Sequence, residues 1–165
     1  MSLPYAIMAF VTLQRLAELV IAARNTKALK ARGAVEIGAS HYPVMVALHA
    51  SWLIALWLSV GGRSVNLPLL GLFALLQAGR VWVLATLGSR WTTRIIVLPG
   101  APLVARGPFR FVKHPNYCIV VAEIAVLPLV FGLVGMAVLF TLLNAAMLWV
   151  RIGTEHRALY RAGAG

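Results

Sequence analysis

The chain has 165 residues, of which 61% are hydrophobic and 12% charged, and its mean hydropathy is +0.88. A water-soluble domain of this size cannot hide so much apolar surface, so the composition excludes one and points to a bilayer as solvent. Fifteen Lys and Arg against four Glu and no Asp give a net charge of +11; the cations cluster in loops between apolar runs, which fits membrane topology and anionic headgroups and argues against nucleic acid as a partner.

In chain order, the first apolar run covers residues 3–23 and is interrupted by Gln14, Arg15 and Glu18. The first positive residue is Arg15, so the basic start of a signal peptide is missing and the run reads as a retained helix. A basic loop follows, with Arg24, Lys27, Lys30 and Arg32. The second span covers residues 42–60 and carries His49; Gly61, Gly62, Asn66 and Pro68 mark a short turn. The third covers residues 69–87, with Gln77 and Arg80 inside it. Residues 88–115 form the longest non-hydrophobic stretch, with Arg90, Arg94, Arg106, Arg110, Lys113 and no acid. The fourth span covers residues 116–131, with Pro128 expected to kink it. A glycine turn at 132–135 then returns the chain as a fifth span to about residue 152, forming a helical hairpin.

The expected fold is therefore all-α: an integral membrane bundle of about five transmembrane helices in one domain, residues 1–165. Residues 1–87 supply spans one to three, and residues 88–165 a motif-bearing loop with spans four and five. If the spans alternate, twelve loop and tail cations fall on one side, Arg151, Arg157 and Arg161 among them, and only Arg63 on the other. The positive-inside rule then places the N-terminus outside and the C-terminus in the cytoplasm, which requires an odd number of spans. The single cysteine, Cys118, cannot form an internal disulfide.

A charge at mid-bilayer costs about 2.5–3.5 kcal/mol on insertion scales, so polar residues within the spans face the bundle interior or a wet cavity. Arg15 and Glu18 lie three apart, where they can pair; the alternative is contact with a substrate headgroup. Arg80 snorkels or meets Glu18 or Glu123. Glu123 reads either as a buried structural acid or as a general base. His49 has no second ligand at metal spacing and reads first as a hydrogen-bonded bundle histidine. Asn144, Leu148, Arg151 and Glu155 form one stripe at helical spacing, with Arg151 and Glu155 placed to pair at the membrane edge.

The most informative stretch runs from Leu103 to Tyr117. Gly107-Pro108 gives a turn, Phe109, Phe111 and Tyr117 supply flat surfaces, and Arg106, Arg110, Lys113 and His114 add cationic or imidazole groups. His114-Pro115 precedes a helix whose first amides, Asn116 among them, can face a polar ligand. Such a loop suits an adenine ring, a carboxylate or a phosphate; the plainer alternative is a loop that binds anionic lipid.

Taken with Arg151 and Glu155, this stretch resembles the isoprenylcysteine carboxyl methyltransferase family over residues 88–160 or so. The matching residues are Leu103, Val104, Gly107, Phe109, Lys113, His114, Pro115, Tyr117, Arg151 and Glu155, in the family's order. The His-Pro-x-Tyr piece alone is also shared with membrane sterol reductases. The resemblance implies S-adenosyl-L-methionine as cofactor, no metal, and a pocket built from the loop and the last helices. It implies backbone contacts to the cofactor from Leu103 and Val104, a lining of Phe109, His114, Pro115, Asn116 and Tyr117, and a polar hold from Glu155. Arg151 would face a lipophilic acceptor, with Asn144 and His49 as further acceptor contacts. Lys113 stands for the family's common Arg, Phe109 for a Tyr, Ile119 for a Gly, and Ala101-Pro102 for a polar pair. These departures point away from prenylcysteine and toward the small bacterial members, some of which methylate alkylpyrones or phenolic lipids.

Methyl transfer from a sulfonium needs alignment and exclusion of water. A carboxylate acceptor needs only an orienting cation such as Arg151, whereas a phenol, with a pKa of about 10, gains from a base. His114, Glu123 and His49 are the candidate bases. Two rivals are a membrane reductase using NADPH and a non-catalytic membrane protein or transporter with Arg15, Glu18, Arg80 and Glu123 as a polar path.

Overall fold

A computed structural model describes residues 2–161, with side chains as far as Glu155. Proline sets where four helices begin. Pro4, Pro43, Pro68 and Pro115 each occupy one of the first two helical positions, where a missing N–H costs nothing and the fixed φ already suits a helix. Asn66 adds a side-chain cap by accepting from Leu69 N at 3.1 Å. The helices among the described residues are α1 (Leu3–Ala31), α2 (Tyr42–Ser59), α3 (Leu67–Leu87), α4 (Pro115–Val130) and α5 (Val134–Arg161).

The all-α membrane bundle is as read from the sequence. α1, α2, α3 and α5 are long and apolar enough to cross a bilayer. α4 has 16 residues, about 24 Å at 1.5 Å per residue, against a hydrocarbon thickness of about 30 Å. It is packed between α3 and α5, and its buried face is Glu123, Ile124, Leu127, Pro128 and Val130. Pro128 falls in the last turn of α4, so it marks the helix end rather than a bend within it. Gly132 (φ 71°) then reverses the chain, with Leu133 N donating to Pro128 O at 3.0 Å.

Three features were not expected, one being that α5 continues past residue 152 to Arg161. α1 continues past residue 23 to Ala31, because the segment after Arg24 is rich in helix formers and buries Leu29 while its cations stay in water. A two-stranded antiparallel ribbon also joins the basic loops: β1 (Val35–Ile37) pairs with β2 (Ile95–Val97) in the register Val35↔Val97, Glu36↔Ile96, Ile37↔Ile95.

The helices run up and down. Asn25 Nδ2 donates to Gly88 O and Trp91 O at 3.1 and 2.8 Å, Tyr42 meets Thr93, and Tyr117 meets Glu155. The ends of α1, α3 and α5 and the starts of α2 and α4 therefore gather at one end of the bundle, with the ribbon. At the other end Tyr5 stacks on Trp57 (centroids 5.9 Å apart), and Asn66 N donates to Val130 O at 2.9 Å. The apolar core, with Met8, Val11, Trp52, Leu56, Phe73, Leu127 and Phe131, fills that half. Large apolar side chains such as Leu58 and Trp149, each 83% exposed, face outward as a lipid-facing surface requires.

Candidate functional site

The α4–α5 hairpin brings Tyr117 and Glu155 together across 38 residues of sequence. His114 caps α4 and Pro115 begins it, so Tyr117 sits in the first turn with its N–H donating to His114 O at 3.1 Å. The Tyr117 hydroxyl donates to Glu155 Oε2 at 2.8 Å. The His114 ring stacks on Tyr117 (5.2 Å between centroids, 13° between planes), with Nδ1 3.8 Å from the same carboxylate oxygen. A carboxylate and two parallel aromatic faces thus meet where the basic loop enters the bundle.

On α5 the buried face is Ala137, Phe140, Asn144, Met147 and Arg151, spaced alternately by three and four. Two of those inward positions are polar. Arg151 is 6% exposed and Asn144 1%. Arg151 Nη2 donates to Thr93 O at 3.1 Å, Nη1 lies against Met45 Sδ of α2, and the guanidinium carbon is 5.8 Å from the Tyr117 ring centroid. Arg151 Nε, Asn144 Nδ2 and Asn116 Oδ1 are buried without hydrogen-bond partners among the described residues. Arg151 and Glu155 are one turn apart, yet no ion pair joins them: the arginine turns toward α2 and the glutamate toward α4.

Leu103 and Val104 lie in the loop beside the end of α3. Arg90 Nη1 donates to Pro102 O at 2.7 Å and Arg106 Nη2 to Thr86 O at 3.4 Å, which frames a cavity of about 500 Å³ over Leu103, Val104 and Leu87. Phe109 stands on a 3₁₀ turn, Gly107–Arg110, that packs against α3. Gly107 adopts φ 58°, and a Cβ there would come within 2.5 Å of Thr86 Oγ1, so the turn tolerates little else. This groove and the Tyr117–Glu155 cluster share no lining residue.

Deeper in the bundle, Arg80 Nε and Nη2 grip Glu18 at 2.6 and 2.8 Å, and its Nη1 donates to Glu123 at 2.7 Å. Arg15 donates to Glu18 at 3.0 Å and to Glu123 at 2.8 Å; Gln14 and Gln77 complete the set. Arg80 thus meets both candidate acids, and Arg15 pairs beyond its own helix. Glu123 Oε2 accepts from Arg15 and Arg80 and Oε1 from Gln77, a set of partners that favours the buried structural acid over the general base. His49 makes no hydrogen bond to this cluster; its Nδ1 lies 2.8 Å from Met45 O on the same helix.

Sequence reasoning missed the strap over this end. Glu36 on β1 pairs with Lys30 at 2.5 Å and with Arg94, which in turn lies 4.0 Å over the Tyr42 ring. The Tyr42 hydroxyl is 3.0 Å from Thr93 Oγ1, next to the carbonyl that holds Arg151. The Lys30 ammonium beside it, with Arg94, holds the Glu36 carboxyl below the usual carboxylate range. Its signal in the sequence was an acid standing alone among the cations of both basic loops. Arg157 and Arg161 lie outside the described side chains.

Over 160 residues the chain is 37% identical to the uncharacterized protein YpbQ of Bacillus subtilis, covering 94% of this chain and 95% of that one. It is 28% identical to an uncharacterized protein of Haemophilus influenzae over 108 residues, 62% of this chain and 63% of that one. No solved structure matches. Residues 69–161, which carry α3, the basic loop and the hairpin, match the isoprenylcysteine carboxyl methyltransferase (ICMT) family, and the chain belongs to that family of membrane methyltransferases.

Proposed function

We propose that this protein is an S-adenosyl-L-methionine-dependent O-methyltransferase whose acceptor is a lipophilic molecule. The favoured acceptor is the hydroxyl of an alkylpyrone or phenolic lipid rather than an isoprenylcysteine carboxylate. The observation that carries this reading is the divergence of Arg151 and Glu155. A plain edge ion pair would join them; instead Glu155 accepts from Tyr117 beside His114, while Arg151, though 5.8 Å from the same Tyr117 ring, gives its Nη donors to Thr93 O and Met45 Sδ and leaves Nε without a partner among the described residues. Two neighbouring opposite charges that do not pair with each other suit two ligands.

The residues fit the cofactor by their chemistry. The Tyr117–His114 faces suit a flat base, Glu155 and the orphaned Asn116 Oδ1 suit hydroxyl or ammonium donors, and Leu103 and Val104 offer exposed backbone by the groove. Phe109 and Pro115 would complete the lining. Bound S-adenosyl-L-methionine supplies a methyl group on a positively charged sulfur, and no metal is called for. Arg151 orients the acceptor oxygen, with Asn144 deeper on the same face. The acceptor enters from the lipid and the polar cofactor from the cytoplasmic end, where the basic loops gather. All 165 residues work as one domain, with the C-terminus in the cytoplasm and the N-terminus outside.

The test compares Arg151→Ala with Glu155→Ala. Arg151→Ala is expected to leave S-adenosylhomocysteine affinity within a few fold and to lower turnover sharply; Arg151→Lys restores only part, lacking the planar fork. Glu155→Ala raises the cofactor requirement first. Equal loss of cofactor binding in both Ala variants favours a simple structural pair. Parallel titration with NADPH separates the reductase alternative.

A further inference from the structure

His49 carries a functional group that the reading above leaves unused. Its Nδ1 lies 2.8 Å from the carbonyl of Met45, one turn back along α2. A carbonyl oxygen only accepts, so Nδ1 holds the ring hydrogen and the neutral ring presents its lone pair at Nε2. Nε2 has no hydrogen-bond partner among the described residues, and the ring is only part-buried.

The surroundings of that lone pair are specific. Met45 is the α2 residue that touches the Arg151 guanidinium. α2 starts and α5 ends at the same end of the bundle, so His49, one turn deeper than Met45, lies at a level between Arg151 and Asn144. Those two α5 residues are two turns apart on one buried face, about 10 Å along the axis. Both present donors without partners among the described residues, Arg151 Nε and Asn144 Nδ2. The arginines within the bundle are Arg15 of α1, Arg80 of α3 and Arg151 of α5. Glu18 and Glu123 neutralise the first two, whereas Arg151 has no ion pair among the described residues.

We propose that His49 Nε2 is the general base for a hydroxyl acceptor held between α2 and α5, with Arg151 Nε and Asn144 Nδ2 donating to the acceptor's oxygens. The proposal rests on the methyl-transfer reading and names its acceptor class. An ionised carboxylate has no proton to give, whereas a phenol or hydroxypyrone does. In the step, the acceptor's O–H bond breaks and its proton passes to Nε2. The oxygen's electron pair forms the new bond to the methyl carbon, while the carbon–sulfur bond breaks and its electrons stay on sulfur. The proton leaves His49 to water after product release.

The experiment uses the full chain in bilayer discs, with His49→Gln, and His49→Asn should the first fail to fold. The acceptors are long-chain alkylphenols of graded acidity, from an unsubstituted ring to a nitrophenol. His49→Gln is expected to lower turnover on the least acidic phenol by about 10²–10⁴-fold. The loss shrinks as the acceptor becomes ionised in solution, and S-adenosylhomocysteine affinity stays within a few fold. A second readout needs no turnover. With S-adenosylhomocysteine bound, below the nitrophenol's solution pKa, the parent takes up the probe as the coloured anion and His49→Gln takes it up as the neutral phenol.

A loss of the same size across the whole series, or none, overturns the base role. So does a parent that binds the nitrophenol only in neutral form, or one that methylates a prenylcysteine carboxylate and no phenol; both leave methyl transfer itself standing. A parent that does not bind S-adenosylhomocysteine overturns the methyltransferase reading, and the proposal with it.

Discussion

Removing Arg80 tests whether the charge cluster is a structural joint. Five hydrogen bonds join Arg15 and Arg80 to Glu18 and Glu123, and Arg80 makes three of them. Arg80→Leu leaves two buried carboxylates facing one guanidinium, and an uncompensated charge in this medium must take up a proton or draw in water. Breaking a buried pair by removing one partner costs about 3–5 kcal/mol. For a chain of this length 1 kcal/mol moves Tm by about 2–4 °C, so the expected drop is about 6–20 °C. The assay is thermal unfolding in detergent, followed by intrinsic fluorescence. Arg80→Leu with Glu18→Leu restores neutrality around Arg15 and Glu123 and should lose less than the two single changes added together. A shift in Arg80→Leu below about 2 °C, less than 1 kcal/mol, refutes the reasoning. So would a double variant as poor as the sum of the singles.

Other expectations follow from the same geometry. Glu123→Gln should lower stability yet leave turnover per folded molecule within a few fold, because its oxygens hold arginines and not a substrate; loss of turnover with parent-like unfolding would restore it as a base. Reporter fusions should place the N-terminus outside and the C-terminus in the cytoplasm; termini on the same side would remove α4 from the count of crossing helices. The Glu36 carboxyl is held low in the folded state, so its strap to Lys30 and Arg94 is intact above the unfolded value of 4.5 and is lost as pH falls through the folded value. Hydrogen exchange of β1 and β2 should therefore quicken in acid, and Glu36→Gln should exchange fast already at neutral pH; a pH-independent ribbon would contradict this. Tyr117→Phe removes the bond to Glu155 and should weaken cofactor binding by about 1 kcal/mol, several fold, read by calorimetry.

Much of this was legible because bilayers demand simple patterns. Apolar runs fixed the helices, and prolines and Asn66 fixed the starts of four of them. The order from Leu103 to Glu155 pointed to the family before the hairpin was seen to join Tyr117 to Glu155. What was hidden depends on long-range partners. Helical spacing alone put Arg151 with Glu155, but the arginine's length lets it reach Thr93 and α2, 58 residues away. Glu123 read evenly as acid or base because its two arginines come from α1 and α3. The β1–β2 ribbon is two three-residue strands, too short for alternation to stand out from loop sequence. The bounds of α4, by contrast, were legible: residues 115–130 against the expected 116–131.

The central claim is a cofactor pocket at Tyr117, His114 and Glu155, and calorimetric titration with S-adenosylhomocysteine tests it most directly. The purified parent should bind in the micromolar range, about −8 kcal/mol, and Glu155→Ala and His114→Ala should each weaken binding while thermal unfolding of the ligand-free protein changes less. Failure of the parent to bind, or binding by both variants at the parent's affinity, would contradict the account.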